Sequence, residues 1–202
     1  MNHFYQNING YMNHRNTILL DLVLDAFPEK GIWVELGSWT GKSAAYCVVE
    51  LLNRNKLGRF VCVDTWEGGE EHQDHEFVTS KSLKEIFQQN LKPISGKYEQ
   101  LVSLSWDAAS LFKNDSVNFC YVDAGHTYDA VTKDLTAWWP KIKPGSYFAG
   151  DDYTKGWPEV QQAVWDFFKP LNIRVIRTGR CWVVTKPKTE ISLTPSTQNR
   201  DN

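Results

Sequence analysis

The chain has 202 residues, 42% of them hydrophobic, which is enough for one α/β domain with a full core. Its 22 basic and 24 acidic side chains leave a net charge of −2, which argues against a nucleic-acid or anionic membrane surface as its partner. With no apolar run that could span a bilayer, no secretory leader and four cysteines without a CxxC pair, we expect a cytoplasmic protein with reduced thiols.

Residues 1–30 form an N-terminal segment that includes one predicted helix. Asn13 is a suitable cap for a helix over 14–27, in which apolar residues recur at helical spacing. Pro28 and Gly31 end this helix.

A strand, a glycine turn and a helix follow. The apolar run 32–36 predicts a buried strand, residues 37–41 read GSWTG, and a helix begins at Lys42. Such a corner lets a ligand approach the backbone closely. The spacing GxxxGKS is one residue shorter than a phosphate-binding P-loop, and Glu35 would repel a triphosphate. The corner therefore favours a ligand with an ammonium group, although other nucleotides or a purely structural turn remain alternatives.

The second predicted strand, 58–64, ends in Asp64, about 27 residues after Gly37. At this distance a carboxylate can accept hydrogen bonds from both ribose hydroxyls of a nucleoside ligand, although a solvated loop aspartate is the alternative. The acidic loop 65–79 that follows carries His72 and His75. We interpret it as a flap beside the substrate rather than as a metal site.

A helix over 80–91 and a third strand over 98–104 come next. In a nucleotide-binding α/β sheet the turn after the third strand meets the adenine, so Asp107 or a backbone N–H near Trp106 could contact that base. The remaining pattern alternates strands and helices and ends in a hairpin. Its predicted elements are strand 117–123, helix 127–139, turn 143–145, strand 146–150, helix 157–168, and strands 173–176 and 181–185 joined by the turn 177–180.

Three acids end two strands that should be neighbours in the sheet. Asp123 ends the fourth strand, and Asp151 and Asp152 follow the fifth. Carboxylates that converge in this way repel one another unless protons, basic partners or a cation offset the charge. A hard divalent ion, Mg²⁺ or Mn²⁺, is the simplest solution. The alternative is a solvated loop in which one aspartate caps a helix.

Two stretches carry a resemblance to a known family. ELGSWTG resembles motif I, [E/D]xGxxxG, of class I S-adenosylmethionine (SAM) methyltransferases, and YVDAGHTYDAVTKDL with KPGSYFAGDDY resembles the second half of the macrocin-type small-molecule O-methyltransferases. The resemblance covers roughly residues 31–152. It implies an α/β fold, a Rossmann-like three-layer sandwich with a seven-stranded, mostly parallel sheet in the order 3-2-1-4-5-7-6. One domain over 1–186 and a polar, disordered tail over 187–202 are expected.

The resemblance also implies roles for individual residues. Glu35 would face the amino group of the methionine part of SAM, and Asp123, Asp151 and Asp152 would bind the cation. Members that act on sugars often have an aspartate base where this chain has Gly125, so His126 becomes the candidate base, with a structural histidine as the alternative. Tryptophans near strand ends, including Trp157, could wall the acceptor pocket. The expected cofactor-binding residues are Glu35, Gly37, Ser38, Gly41, Asp64, Trp66, Trp106 and Asp107.

The expected reaction is transfer of the SAM methyl group to a hydroxyl of a small, sugar-like or natural-product-like molecule, assisted by Mg²⁺ or Mn²⁺. A metal-independent N-methyltransferase and a nucleotide-binding P-loop-like protein are the alternatives. A nucleic-acid modifier is disfavoured because the chain lacks a basic stripe and a DPPY- or NPPY-like motif. The expected partner is the small acceptor, with no nucleic acid and no membrane, and a homo-oligomer is possible.

Overall fold

A computed structural model describes residues 1–188, and within this range the strands form one seven-stranded sheet in the order β3-β2-β1-β4-β5-β7-β6. The predicted order is confirmed. Apart from its first two residues, the tail predicted for 187–202 lies outside the described residues. The strands are β1 (Ile32–Leu36), β2 (Arg59–Asp64), β3 (Glu99–Val102), β4 (Val117–Val122), β5 (Ile142–Gly150), β6 (Ile176–Thr178) and β7 (Cys181–Thr185).

The helices cover both faces of the sheet. They are α1 (His14–Ala26), α2 (Lys42–Asn53), α3 (Glu76–Thr79), α4 (Leu83–Asn90), α5 (Ser105–Ala108), α6 (Tyr128–Trp138) and α7 (Pro158–Phe168). Side chains of α1, α2 and α4 pack with Trp33 of β1 in one core, and those of α5, α6 and α7 pack with Val34 and Leu36 in another. This division follows from the alternation of side chains along a strand. Among the described helices, none has the length and apolar character needed to cross a membrane.

Local signals explain where the principal helices begin. Asn13 caps α1 through a reciprocal pair of hydrogen bonds with Asn16, and the Thr127 hydroxyl accepts a bond from the Ala130 N–H at the start of α6. Pro158 occupies the first turn of α7, where its missing N–H has no cost. The predicted helices over 14–27, 127–139 and 157–168 are therefore confirmed to within one residue at each end.

Four predicted elements have wrong boundaries, and strand pairing accounts for two of these elements. The turn expected at 143–145 lies inside β5, because the register between β4 and β5 shifts between Val117 and Phe119 and Gly145, with φ +82°, continues the strand. The sixth strand begins at Ile176 rather than at 173, since its pairing with β7 starts at the pair Ile176 and Val183. In addition, α4 and β3 are shorter than predicted.

Candidate active site

A cavity of about 660 Å³ opens at the carboxyl ends of the parallel strands. The segments after β1, β2, β3, β4 and β5 line it, together with residues 10–12 of the N-terminal segment. This is the edge at which open α/β sheets bind their ligands, and the volume is typical of a small-molecule site.

The turn after β1 forms the floor of the cavity. Gly37 has φ +82°, and a side chain there would collide with the backbone carbonyl of Asp123, so the turn passes directly over the end of β4. Gly37 and Ser38, two of the predicted cofactor-binding residues, line the cavity. Gly41 also has a positive φ, but its Cα faces the side chains of Phe87 and Leu91 behind the turn. It therefore serves the packing of the helix start.

Glu35 lies beneath this turn. Its side chain is on the same sheet face as Trp33, is 1% exposed, and accepts a hydrogen bond of 2.8 Å from the Ser38 hydroxyl. Burial raises the pKa of Glu35 to about 7. This placement differs from the expectation that Glu35 faces the ligand, since among the described residues it is Ser38 and Ser43 that reach the cavity wall there.

Asp64, at the end of β2, is held between two loops. One carboxylate oxygen accepts the N–H of Trp39 and the other accepts the N–H of Trp66, each at 2.8 Å. Burial raises the pKa of Asp64, although these backbone donors oppose the shift. Asp64 lines the cavity, and each oxygen keeps a second lone pair for a ligand hydroxyl.

Of the three other residues predicted to bind the cofactor, Trp106 lies on the cavity wall, and Trp66 and Asp107 do not. The ring of Trp66 is 5% exposed, packs on Phe87 at a centroid distance of 4.9 Å and donates to the Trp39 carbonyl, so it belongs to the core rather than to the pocket wall. The wall at β3 and α5 runs from Ser103 to Trp106 and leaves out Asp107. Asp107 is exposed on α5.

The three acids after β4 and β5 line the same part of the cavity, and basic and polar partners surround them. Arg180, in the turn between β6 and β7, donates from Nε to Asp151 at 2.7 Å and from a terminal nitrogen to Asp152. Asn16 of α1 donates to the other oxygen of Asp151 at 2.6 Å. Burial and the charges of Asp151 and Asp152 raise the pKa of Asp123 well above its usual value. Part of the mutual repulsion is thus offset by residues that the sequence motifs did not indicate.

His126 lies between two carboxylates. Its Nδ1 is 2.5 Å from an oxygen of Glu71, and its Nε2 is 2.8 Å from an oxygen of Asp152 but is not aligned for a hydrogen bond with any described residue. Its ring stacks on Trp157 at a centroid distance of 4.2 Å. Burial lowers the pKa of His126, but Asp152 and Glu71 outweigh this, and the net pKa is raised.

One set of donor atoms in the cluster is close enough to hold a divalent ion. An oxygen of Asp123, an oxygen of Asp152 and a nitrogen of His126 lie within 4.8 Å of one another. The set shares Asp123 and Asp152 with the predicted one and has His126 in place of Asp151, whose two oxygens accept hydrogen bonds from Arg180 and Asn16. Two carboxylates with one imidazole suit Mn²⁺ better than Mg²⁺, which prefers oxygen ligands alone.

The loop predicted as a flap lies beside the cavity. Residues 68–72 line it, and His72 packs against Trp39 at a centroid distance of 4.6 Å and against Tyr11 at 5.5 Å. The flap and the N-terminal segment therefore build an aromatic wall on the side of the turn after β1.

Comparisons with protein families and with solved structures give consistent results. A family model described as a methyltransferase domain matches residues 34–153. A comparison with curated protein sequences finds no significant match.

Several solved structures are similar. The O-methyltransferase NovP superposes with a TM-score of 0.69 at 16% identity over 86% of this chain and 80% of its own. CalS11, a TDP-rhamnose 3′-O-methyltransferase of calicheamicin biosynthesis, gives 0.55 at 17% over 84% and 77%. The methyltransferase PaMTH1 of Podospora anserina, bound to S-adenosylhomocysteine (SAH), gives 0.63 at 11% over 89% and 80%. At these identities the similarity establishes the shared fold.

Proposed function

Because the chain belongs to the methyltransferase-domain family, as the resemblance of its motifs predicted, we propose that it moves the methyl group of SAM to a hydroxyl of a small molecule. One observation carries the proposal. Asp64 lines the same cavity as the cluster of Asp123, His126 and Asp152. A nucleoside bound at Asp64 and an acceptor hydroxyl bound at the cluster would therefore lie in the same cavity, close enough to react.

The cofactor half of the cavity fits SAM in its donor chemistry. Asp64 offers carboxylate lone pairs to the two ribose hydroxyls, and the turn at Gly37 and Ser38 lets the ligand lie against the backbone. Trp106, on the wall after β3, offers an aromatic face to the adenine.

The acceptor half would prepare the hydroxyl for methylation. The sulfonium of SAM is already activated, so the protein needs to orient the acceptor oxygen and remove its proton. The new bond joins the acceptor oxygen to the methyl carbon as the sulfur–methyl bond breaks, and SAH leaves. The hydroxyl proton passes to Nε2 of His126, the nitrogen without an aligned partner among the described residues.

Asp123 and Asp152 would hold a divalent ion through their carboxylate oxygens, and His126, whose nitrogen lies near them, would keep its role as the base. When bound, such an ion lowers the pKa of an acceptor hydroxyl. A metal-independent methyltransferase is the second candidate, and one observation favours it. Arg180 already supplies a positive charge to both Asp151 and Asp152, so part of the acid charge is compensated without an ion.

The test has a binding arm and a turnover arm. Calorimetry should detect binding of SAH and not of ATP, and ATP binding alone would favour the P-loop alternative. Turnover is followed with methyl-labelled SAM and a panel of sugar, phenol and amine acceptors that includes TDP-rhamnose, with and without EDTA. Loss of transfer in EDTA and recovery with Mn²⁺ or Mg²⁺ supports the ion. Undiminished transfer in EDTA, or methylation of amines only, supports the metal-independent candidate.

A further inference from the structure

The contact between Glu71 and His126 joins the flap to the centre of the proposed site. Glu71 lies in the single turn Glu70–His72, between β2 and α3, while His126 follows β4. The carboxylate reaches Nδ1 of the imidazole at 2.5 Å across 55 positions of sequence. The side chain of Glu71 is 27% exposed and that of His126 is 14% exposed, so the contact lies at the solvent edge of the cavity, with Glu71 on the outer side.

The chemistry of this contact determines which nitrogen of His126 is free. Glu71 carries no proton donor when ionised, so Nδ1 must donate its hydrogen to the carboxylate. The proton of the neutral imidazole is then on Nδ1, and the lone pair is on Nε2. Nε2 is then the nitrogen that can exchange a proton, and it lies 2.8 Å from an oxygen of Asp152, beside which the proposed acceptor would bind in the same cavity.

Two contacts together define the orientation of the ring. Trp157 covers one face of the imidazole, with 21° between the ring planes, and this restricts tilting. Glu71 holds the edge that bears Nδ1, which restricts rotation within the plane. Neither Glu71 nor Trp157 is needed to explain the fold of the sheet, because both lie in segments after strand ends.

We propose that Glu71 is a positioning residue: it fixes the tautomer and orientation of His126, so that the flap completes the acceptor half of the site. The inference rests on the proposed function, because it assumes that His126 receives the proton. Glu71 would then be a flap residue that takes part in the acceptor half of the site, whose other residues follow β4 and β5. Groups that orient an active histidine commonly change activity about 10–100-fold when they are removed.

The first measurement needs no acceptor. The sample is the full chain, labelled with nitrogen-15 and with SAH added. Its proton NMR spectrum should show a downfield signal for the N–H group at Nδ1 of His126. The signal is assigned by its absence in His126→Asn. Glu71→Ala should lose this signal, and Asp74→Asn should keep it. Asp74 is the matched control, since it is an exposed acid of the same flap outside the cavity wall. Retention of the signal in Glu71→Ala would overturn the proposal even if methyl transfer is never observed.

The second measurement separates positioning from a structural role. With TDP-rhamnose as the probe acceptor, Glu71→Ala should lower kcat about 10–100-fold and leave the KM for SAM unchanged. Glu71→Gln, whose amide oxygen can still accept from Nδ1, should recover part of the rate. In a His126→Ala background, Glu71→Ala should have no further effect, because the group it orients is gone. If the two substitutions lower kcat independently in the double variant, so that their factors multiply, Glu71 does not act through His126. A wild-type kcat in Glu71→Ala would also contradict the positioning role.

Absence of turnover in the wild-type chain with every acceptor would count against the proposed function and not against this contact, which the NMR measurement tests separately. A melting temperature that falls equally in Glu71→Ala and Glu71→Gln, together with an unchanged imidazole spectrum, would identify Glu71 as a structural residue of the flap.

Discussion

The two halves of the cavity are built from the same sequence signal and are stabilised in different ways. At β2, one acid ends an apolar strand, and backbone N–H groups of two neighbouring loops hold Asp64. At β4 and β5, three acids end two strands, and side chains from α1 and from the turn between β6 and β7 hold Asp151 and Asp152. Asp64 is thus held by backbone groups close to it in the fold. Asp151 and Asp152 instead depend on side chains from distant segments, one of them positively charged.

This difference suggests that the two halves of the cavity have separate functions. Backbone donors are neutral and are placed by the fold itself, so the hydrogen bonds that Asp64 accepts do not depend on what the rest of the site binds. The acids of the second group depend on distant side chains for their balance of charge, so the binding of an acceptor, a proton or an ion can change that balance. We expect variants of the first half to change cofactor affinity and variants of the second half to change turnover or stability.

The largest expected effect is that of His126→Ala, which should slow methyl transfer about 10²–10⁴-fold, the usual consequence of losing a general base. SAH affinity measured by calorimetry should stay close to that of the wild type, since the change lies in the acceptor half. The exposed His14 offers a control, and His14→Ala should turn over normally. If His126→Ala melts early but transfers methyl at the normal rate, the residue is structural.

The next effect in size concerns Asp64. Asp64→Ala should weaken SAH binding by about 1.5–3 kcal/mol, because two hydrogen bonds to a charged acceptor are lost. Its matched control is Asp107→Asn, an acid that the sequence also suggested for the cofactor but that lies outside the cavity wall. Equal losses of affinity in the two variants, measured by calorimetry, would contradict the separation of these two residues.

The smallest effect is expected at Arg180. Arg180→Gln leaves Asp151 and Asp152 without their cation, so the free energy of unfolding should fall by about 1–3 kcal/mol. Each 1 kcal/mol corresponds to a melting temperature lower by about 2–4 °C in a chain of this size. Added Mn²⁺ should restore more of the melting temperature in this variant than in the wild type, because the ion can replace the missing charge.

The control for Arg180 is on the same hairpin. Arg177 donates from Nε to the Gly179 carbonyl and does not take part in the acid cluster, so Arg177→Gln should melt close to the wild type with or without Mn²⁺. A variant of Arg180 that is as stable as that of Arg177 would show that the acids do not need the guanidinium.

Local patterns were sufficient to predict most of the elements. The strand over 32–36 agrees with β1 at both ends, and the starts of α1 and α6 follow from the capping residues Asn13 and Thr127. These features depend on a few neighbouring residues and on burial, and sequence periodicity reports both. The sheet order was implied by resemblance to a family rather than by periodicity, because strand order is a property of pairing between distant segments.

The candidate site was predicted only in part, for a related reason. Asp64, Asp123, Asp151 and Asp152 could be located because each follows an apolar strand whose carboxyl end faces the ligand edge. Trp66 and Trp106 could not be distinguished, since both are tryptophans shortly after a strand. The turn after β2 directs Trp66 into the core beside Phe87, whereas Trp106 stays at the cavity wall.

By itself, the sequence determined most of the strands and helices and which acids stand at the strand ends, because those properties depend on residues a few positions apart. Tertiary structure alone decided which partners those acids and His126 receive. Asn16 is 135 positions from Asp151, and Glu71 is 55 positions from His126. A hydrogen bond needs its two atoms within about 3 Å, and only the packing of distant elements brings such residues together.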